Sequence, residues 1–156
     1  MQARILDHDA VRTTTDPAEI RAALAAGTPM WIDLGSQSTD CDALLAEGLH
    51  LHPLTIEDIW ATRAAPKLED YGSYLYLIVH SVRGAKRGVF DLVELDVVIG
   101  KTFVVTHDAT GLVTKDLADE LARSPRTLAK GPAWVAHALL DRAVDRYLPL
   151  DRKSVV

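Results

Sequence analysis

Between Phe90 and Ile99 apolar and polar side chains alternate: Val93, Leu95, Val97 and Ile99 point one way, Glu94 and Asp96 the other. That is the period-two signature of a strand. Gly100-Lys101 then turns the chain into a second strand, Phe103–His107. Tyr74–Val82 is apolar at nearly every position, the pattern of a central strand covered on both faces. The basic stretch Gly84–Gly88 joins it to the alternating strand as a hairpin turn. Short apolar runs at Ala3–Leu6 and Met30–Leu34 add two further strands.

Elsewhere the spacing is helical. Asp16-Pro17-Ala18-Glu19 supplies an N-cap, a first-turn proline and an acid at the third position, so a helix runs to about Ala26 and stops at Gly27. Asp40–Glu47 reads as a second helix capped by Ser38 or Thr39, and Pro53 opens a third, short one to about Ala61. Residues 62–73 read as a polar loop. Leu112–Ala122 is helical and broken by Ser124-Pro125. Gly131-Pro132 opens a long helix from about Ala133 to Leu148, with Ala136, Leu140, Ala143, Val144 and Tyr147 along its apolar stripe. Helices before and after a meander predict an α/β/α sandwich: a central mixed, largely antiparallel sheet with helices on both faces.

Composition narrows the function. The chain has 156 residues, 48% apolar and 25% charged, with a net charge of −5 from 22 acidic and 17 basic residues. That balance argues against non-specific nucleic-acid binding, which relies on basic patches to release counterions, and suits cationic partners. The single cysteine, Cys41, excludes an internal disulfide and a cysteine-based zinc cluster; it reads as a small side chain buried on the second helix. No stretch approaches the ~18–20 apolar residues that cross a bilayer, so this sequence reads as a soluble chain.

Five segments, in one order, resemble the cytosolic N-terminal domain of CorA-type divalent-cation transporters. Trp31-Ile32-Asp33-Leu34 is similar to that family's first strand, and Leu51-His52-Pro53-Leu54-Thr55-Ile56-Glu57-Asp58-Ile59 is the nearest match. Pro66-Lys67 with Tyr71 and Tyr74 follows at the family's spacing. Leu95–His107 resembles its strand, Gly-Lys turn, strand unit, and Leu139–Tyr147 resembles the start of its stalk helix. The resemblance spans roughly Trp31 to Leu150. It implies a domain over residues 1–150, with residues 133–156 beginning a stalk cut before the membrane spans.

The resemblance further implies a homopentamer at the cytoplasmic face of a prokaryotic inner membrane, reached only through a C-terminal part that this sequence lacks. Mg²⁺ is the usual cargo, Co²⁺ and Ni²⁺ are also carried, and a related branch transports Zn²⁺. By motif position Asp58, with Glu57 beside it, binds a regulatory Mg²⁺ against an acid on the neighbouring subunit's stalk. The family's Gly-Met-Asn pore signature is missing from this sequence, as are both spans, so transport is not expected of this chain and neither is enzymatic turnover. Alone it is expected to be a monomer or weak dimer. Arg63-Ala64-Ala65 stands where the family often has His-Gln-Arg.

Each candidate has a plainer reading. On a helix begun at Pro53, Ile56, Ile59 and Trp60 share one face, and Asp58 lies about 200° from Ile56, pointing away. It is therefore either an ordinary solvated acid or an outward ligand of the kind Mg²⁺ takes. His50-Leu51-His52 invites zinc, but His52 reads more simply as the cap before Pro53. Asp141 and Asp145, each followed by an arginine, suggest salt bridges sooner than the acid pair of a metal-dependent hydrolase. Glu69-Asp70 and the Glu94/Asp96 face could add weak divalent sites; the simpler expectation is solvated acids on a loop and an exposed sheet face. His80 and His107 are expected to be satisfied within the fold, and Trp134, Tyr147 and Leu148 to pack. A free-standing soluble binding module is the remaining alternative.

Overall fold

The computed structural model of the chain describes residues 1–62, 64–86 and 89–148. Of the turn expected over Gly84–Gly88, residues 84–86 belong to a strand and 87–88 lie outside the described residues, as does the part of the expected stalk (133–156) beyond Leu148.

Among the described residues seven strands form one sheet. They are β1 (Gln2–Asp7), β2 (Ala10–Thr14), β3 (Met30–Leu34), β4 (Lys67–Asp70), β5 (Tyr74–Lys86), β6 (Val89–Gly100) and β7 (Phe103–His107), in spatial order β2-β1-β3-β7-β6-β5-β4. Neighbours are antiparallel except β3 and β7, which pair parallel with Trp31 opposite Val104 and Asp33 opposite Thr106. Helices α1 (Pro17–Ala25), α2 (Thr39–Ala43) and α3 (Pro53–Trp60) precede the meander; α4 (Thr114–Arg123), α5 (Arg126–Ala129) and α6 (Pro132–Asp145) follow it.

The period-two pattern sends alternate strand residues into two separate cores. Ala3, Ile5, Met30, Ile32, Tyr76, Ile78, Val98 and Val105 face the first three helices and meet Ile20, Cys41, Leu44, Leu45 and Ile59. Trp31, Leu95, Val97 and Val104 face the last three and meet Leu117, Leu121, Leu128, Val135 and Leu139. This is the expected α/β/α sandwich, with a mixed and mostly antiparallel sheet.

Local chemistry sets the element ends. The Asp16 side chain accepts the Ala18 N–H at 2.8 Å, and Gly27, at φ 67°, closes α1 in a conformation that costs glycine little. Ser38 caps α2 through the Cys41 N–H at 3.2 Å, and the helix then widens into a π turn over Leu44–Gly48. At Gly100 a Cβ would sit 2.3 Å from the Phe103 ring, so any other residue there would have to displace that aromatic.

Several expectations change. Ala10–Thr14 is an edge strand, paired to β1 through a turn in which His8 takes φ 51°. The loop expected over residues 62–73 contains β4, the opposite edge, which makes β5 next to an edge and not central. Helix α6 ends at Asp145, three residues before the expected Leu148. Its buried positions are Val135, Ala136, Leu139 and Ala143. Val144 is 62% exposed and Trp134 50%, so the stripe is rotated towards Val135 and Leu139. Lys130 Nζ lies 4.4 Å over the exposed Trp134 ring, a cation–π contact at the rim.

Candidate functional site

Helix α3 begins at a histidine cap. His52 Nδ1 accepts the Leu54 N–H at 3.2 Å, and Pro53 follows at the first helical position. The preceding His50 is held at φ 53°. One hydroxyl from the sheet then fixes the helix: Tyr74 Oη accepts the His52 N–H at 3.0 Å and lies 2.9 Å from Thr55 Oγ1. Tyr71 stacks on Tyr74 at 4.8 Å and packs against His52 at 5.6 Å.

That anchor decides where the acids point. The buried seam of α3 runs through Thr55 and Ile59, because Thr55 is drawn in to the Tyr74 hydroxyl. Ile56 and Trp60 pack with Ile59 against that core, as expected, but Thr55 widens the buried seam, so Asp58 lies at its edge instead of opposite it. Glu57 is the exposed acid. Asp58, 33% exposed, faces β4, where Lys67 Nζ donates to Asp58 Oδ2 at 2.6 Å and to Glu69 Oε2 at 3.1 Å. Tyr71 Oη donates to the same Glu69 oxygen at 3.0 Å. The Asp58 bond, with support from Glu69, raises the Lys67 pKa against the opposing effect of burial. At the helix end Trp60 Nε1 donates to Asp42 Oδ1 at 2.8 Å, and its ring meets His107 edge-on at 5.1 Å.

Beside α3 the same sheet face carries a second polar group. Asp96, expected on an exposed face, is only 2% exposed, and Glu94 is 17% exposed. The period was right but that face is covered, by α3 and by the segment leading to β4. Tyr76 Oη donates to Asp96 Oδ1 at 2.7 Å, while His107 Nδ1 lies 3.5 Å from Asp96 Oδ2. Burial first, then the Asp96 charge and its hydrogen bond, push the Tyr76 hydroxyl far above its ordinary pKa. His80 Nε2 lies 2.9 Å from the Ala64 carbonyl and 3.7 Å from Glu94 Oε2, an oxygen with no hydrogen-bond partner among the described residues. Burial, then Asp96, raises the Glu94 pKa. A cleft of about 140 Å³, lined by Ala61, Thr62, Glu94, Asp96, His107 and Thr110, opens onto this group.

The remaining candidates separate from the site. Asp141 and Asp145 are exposed on α6; the arginines beside them bond elsewhere, Arg142 to Glu120 and Arg146 to the Leu112 carbonyl at 2.6 Å. Asp70 accepts the Gly72 N–H at 2.7 Å and closes the turn between β4 and β5. Cys41 is buried. The sequence reading missed Lys67 as the partner of Asp58, although Pro66-Lys67 was in view, because β4 was read as loop.

The donor set can be tested against Mg²⁺. A hard cation that keeps several waters takes one or two carboxylates, and Asp58 with exposed Glu57 offers that chemistry at the protein surface. Among the described residues no group of three or more histidine, cysteine, aspartate or glutamate side chains is placed to hold a metal ion. Asp58 and Glu57 alone offer two carboxylates of the type such an ion takes. Among the described residues His50 and His52 form no zinc-holding group with them, and His52 Nδ1 is engaged by its cap.

The chain belongs to the CorA-like Mg²⁺ transporter family: residues 27–153 match the model described as "CorA-like Mg2+ transporter protein". Candidate metal ion transporter YfjQ of Bacillus subtilis is 34% identical over 124 residues, covering 77% of this chain and 37% of its own. The cobalt/magnesium transport protein CorA of Thermotoga maritima is 24% identical over 144 residues, 90% of this chain and 41% of its own. The chain thus spans about two fifths of the length of these relatives. In fold it is similar to the soluble domain of CorA from Methanocaldococcus jannaschii, with TM-score 0.66 and 14% identity over 96% of this chain and 58% of that one. The ZntB cytoplasmic domain from Vibrio parahaemolyticus is alike to the same degree, with TM-score 0.66 and 12% identity over 97% and 61%. Among the described residues no helix is long and apolar enough to cross a membrane.

Proposed function

We propose that this chain is the cytosolic regulatory domain of a CorA-like divalent-cation transporter and that it senses Mg²⁺ through Asp58, with Glu57 beside it. The observation that carries the reading is the placement of Asp58. The family's His-Pro helix is bolted to the sheet by Tyr74, and its aspartate stands at the rim of the fold with an exposed acid next to it. When bound, the ion supplies a positive charge that two subunits of a homopentamer share at the cytoplasmic face of the membrane. Tyr74 and Thr55 fix the helix, and Asp58 presents its carboxylate from that fixed frame. Occupancy that exists only in the closed arrangement stabilises it by differential affinity. Mg²⁺ or Co²⁺ is the cargo of the whole protein, with Ni²⁺ also admitted.

In the full-length transporter, Asp58→Ala is expected to raise the Mg²⁺ concentration needed to close the pore several-fold, measured as ion flux against internal Mg²⁺. Closure at the parent's concentration would remove Asp58 from the mechanism. A second reading, the zinc-transporting branch, is supported by the likeness to the ZntB cytoplasmic domain. Zn²⁺ uptake without Mg²⁺ uptake by the full-length protein would select it.

A further inference from the structure

The Asp58 carboxylate already has a cation. Lys67 reaches it from the edge strand β4, and the two half-buried side chains meet at 2.6 Å, with Lys67 30% exposed. The same ammonium lies 3.1 Å from Glu69 and 5.2 Å from the centre of the Tyr76 ring. Any ion that is to use Asp58 fully must therefore replace Lys67 at the oxygen it occupies.

We propose that Lys67 is the specificity-determining residue of this site, a tethered monovalent cation that a divalent ion displaces and a free monovalent ion does not. The inference rests on the reading of Asp58 as a metal ligand. A free K⁺ or Na⁺ offers Asp58 one charge, the same as the ammonium. It competes against a group held in place by its own backbone, at an effective concentration on the order of millimolar or more. It also has to break a short charge-assisted hydrogen bond. A divalent ion at the same distance doubles the Coulomb attraction and can gather a second carboxylate, Glu57 or one from another subunit. The displaced ammonium is not left stranded, because Glu69 stays within reach and Tyr71 holds that carboxylate in position. The exchange is therefore reversible. Lys67 sets a threshold below which the site ignores monovalent salt.

Magnesium titrations of this chain test the idea, read by calorimetry and by the backbone amide shifts of Glu57 and Asp58. Ionic strength is held constant with either KCl or choline chloride. In choline, Lys67→Met is expected to bind Mg²⁺ roughly two- to fivefold more tightly than the parent, the range that exposed ion pairs span. Replacing choline by K⁺ is expected to remove most of that gain, while the parent responds little to the swap. Lys67→Arg, which keeps the charge, is expected to restore the parent's indifference to K⁺. Equal or weaker binding by Lys67→Met, or an identical response of both chains to K⁺, overturns the proposal. Lys67→Gln serves as a second neutral variant should the methionine disturb β4. Asp58→Asn in each background separates the two layers. A Mg²⁺ response that survives it refutes Asp58 as the ligand. A response that it abolishes, but that Lys67 does not modulate, refutes displacement alone. A Lys67→Met chain with no Mg²⁺ response refutes displacement, and Asp58 is then decided by the flux of the full-length Asp58→Ala transporter.

Discussion

On one face of the sheet, strands β3, β6 and β7 lie under α4 and the fourteen-residue α6, and Trp31, Leu95, Val97 and Val104 are packed against leucines and valines of those helices. On the other face the coverage is uneven. Over β1 and β3 it is as apolar, but over β4 to β7 it depends on the eight-residue α3, and there the strands carry Lys67, Tyr76, Glu94, Asp96 and His107. The same alternation built both faces. The difference is that a long amphipathic helix can exclude water from a whole strand, whereas a short one leaves a rim where charged groups reach a cleft and one another. The candidate chemistry lies at the end of that short cover.

The sharpest way to break this comparison is to truncate both faces. Leu117→Ala, on the fully covered side, is expected to cost about 2–5 kcal/mol in denaturant unfolding, the transfer and cavity loss of a buried leucine. Asp96→Ala, on the mixed side, leaves the Tyr76 hydroxyl without its acceptor and is expected to cost about 1–3 kcal/mol, with Asp96→Asn costing less because it can still accept. Equal losses would mean that the polar group is as tightly packed as the apolar core.

A third, smaller effect is one of pH. The folded pKa of Glu94 is raised above its ordinary value of 4.5 by burial and by Asp96. Folded protein therefore holds its proton more firmly than unfolded chain, and the stability contributed falls as pH rises from about 4.5 through the raised value. Glu120 behaves oppositely. Its hydrogen bond to Thr127 and its bonding to Arg142 lower its pKa, so its contribution is present above 4.5 and fades as pH falls through the lowered value. Glu94→Gln should flatten the first slope and Glu120→Gln the second, each followed as urea midpoint against pH.

Much of the fold was legible because strand period and helix punctuation were strong. Met30–Leu34 and Phe103–His107 are bounded as read, and Asp16, Ser38 and His52 cap the helices where their side chains suggest. The edge strands were not legible, since Ala10–Thr14 and Lys67–Asp70 are polar and half exposed, and local pattern does not separate such strands from loops. The site was legible as a motif but not as a geometry. A single buried hydroxyl, Tyr74 Oη, draws Thr55 into the buried seam of α3, and that long-range contact has no trace in the helix's own spacing. Burial of Asp96 likewise depends on what crosses the sheet above it.

The parallel pairing of β3 with β7 has a consequence for how the chain assembles. It joins two runs of antiparallel neighbours, β2-β1-β3 and β7-β6-β5-β4. A hydrogen-bonded chain from Trp31 Nε1 to Thr106 Oγ1 at 2.9 Å, and from Thr106 Oγ1 to Asp33 at 2.7 Å, rivets the seam between residues 75 and 73 positions apart. Loop-closure entropy is concentrated in that one joint. Closing the seam, the most non-local pairing in the sheet, turns two ribbons into one sheet and buries the interior edge of each.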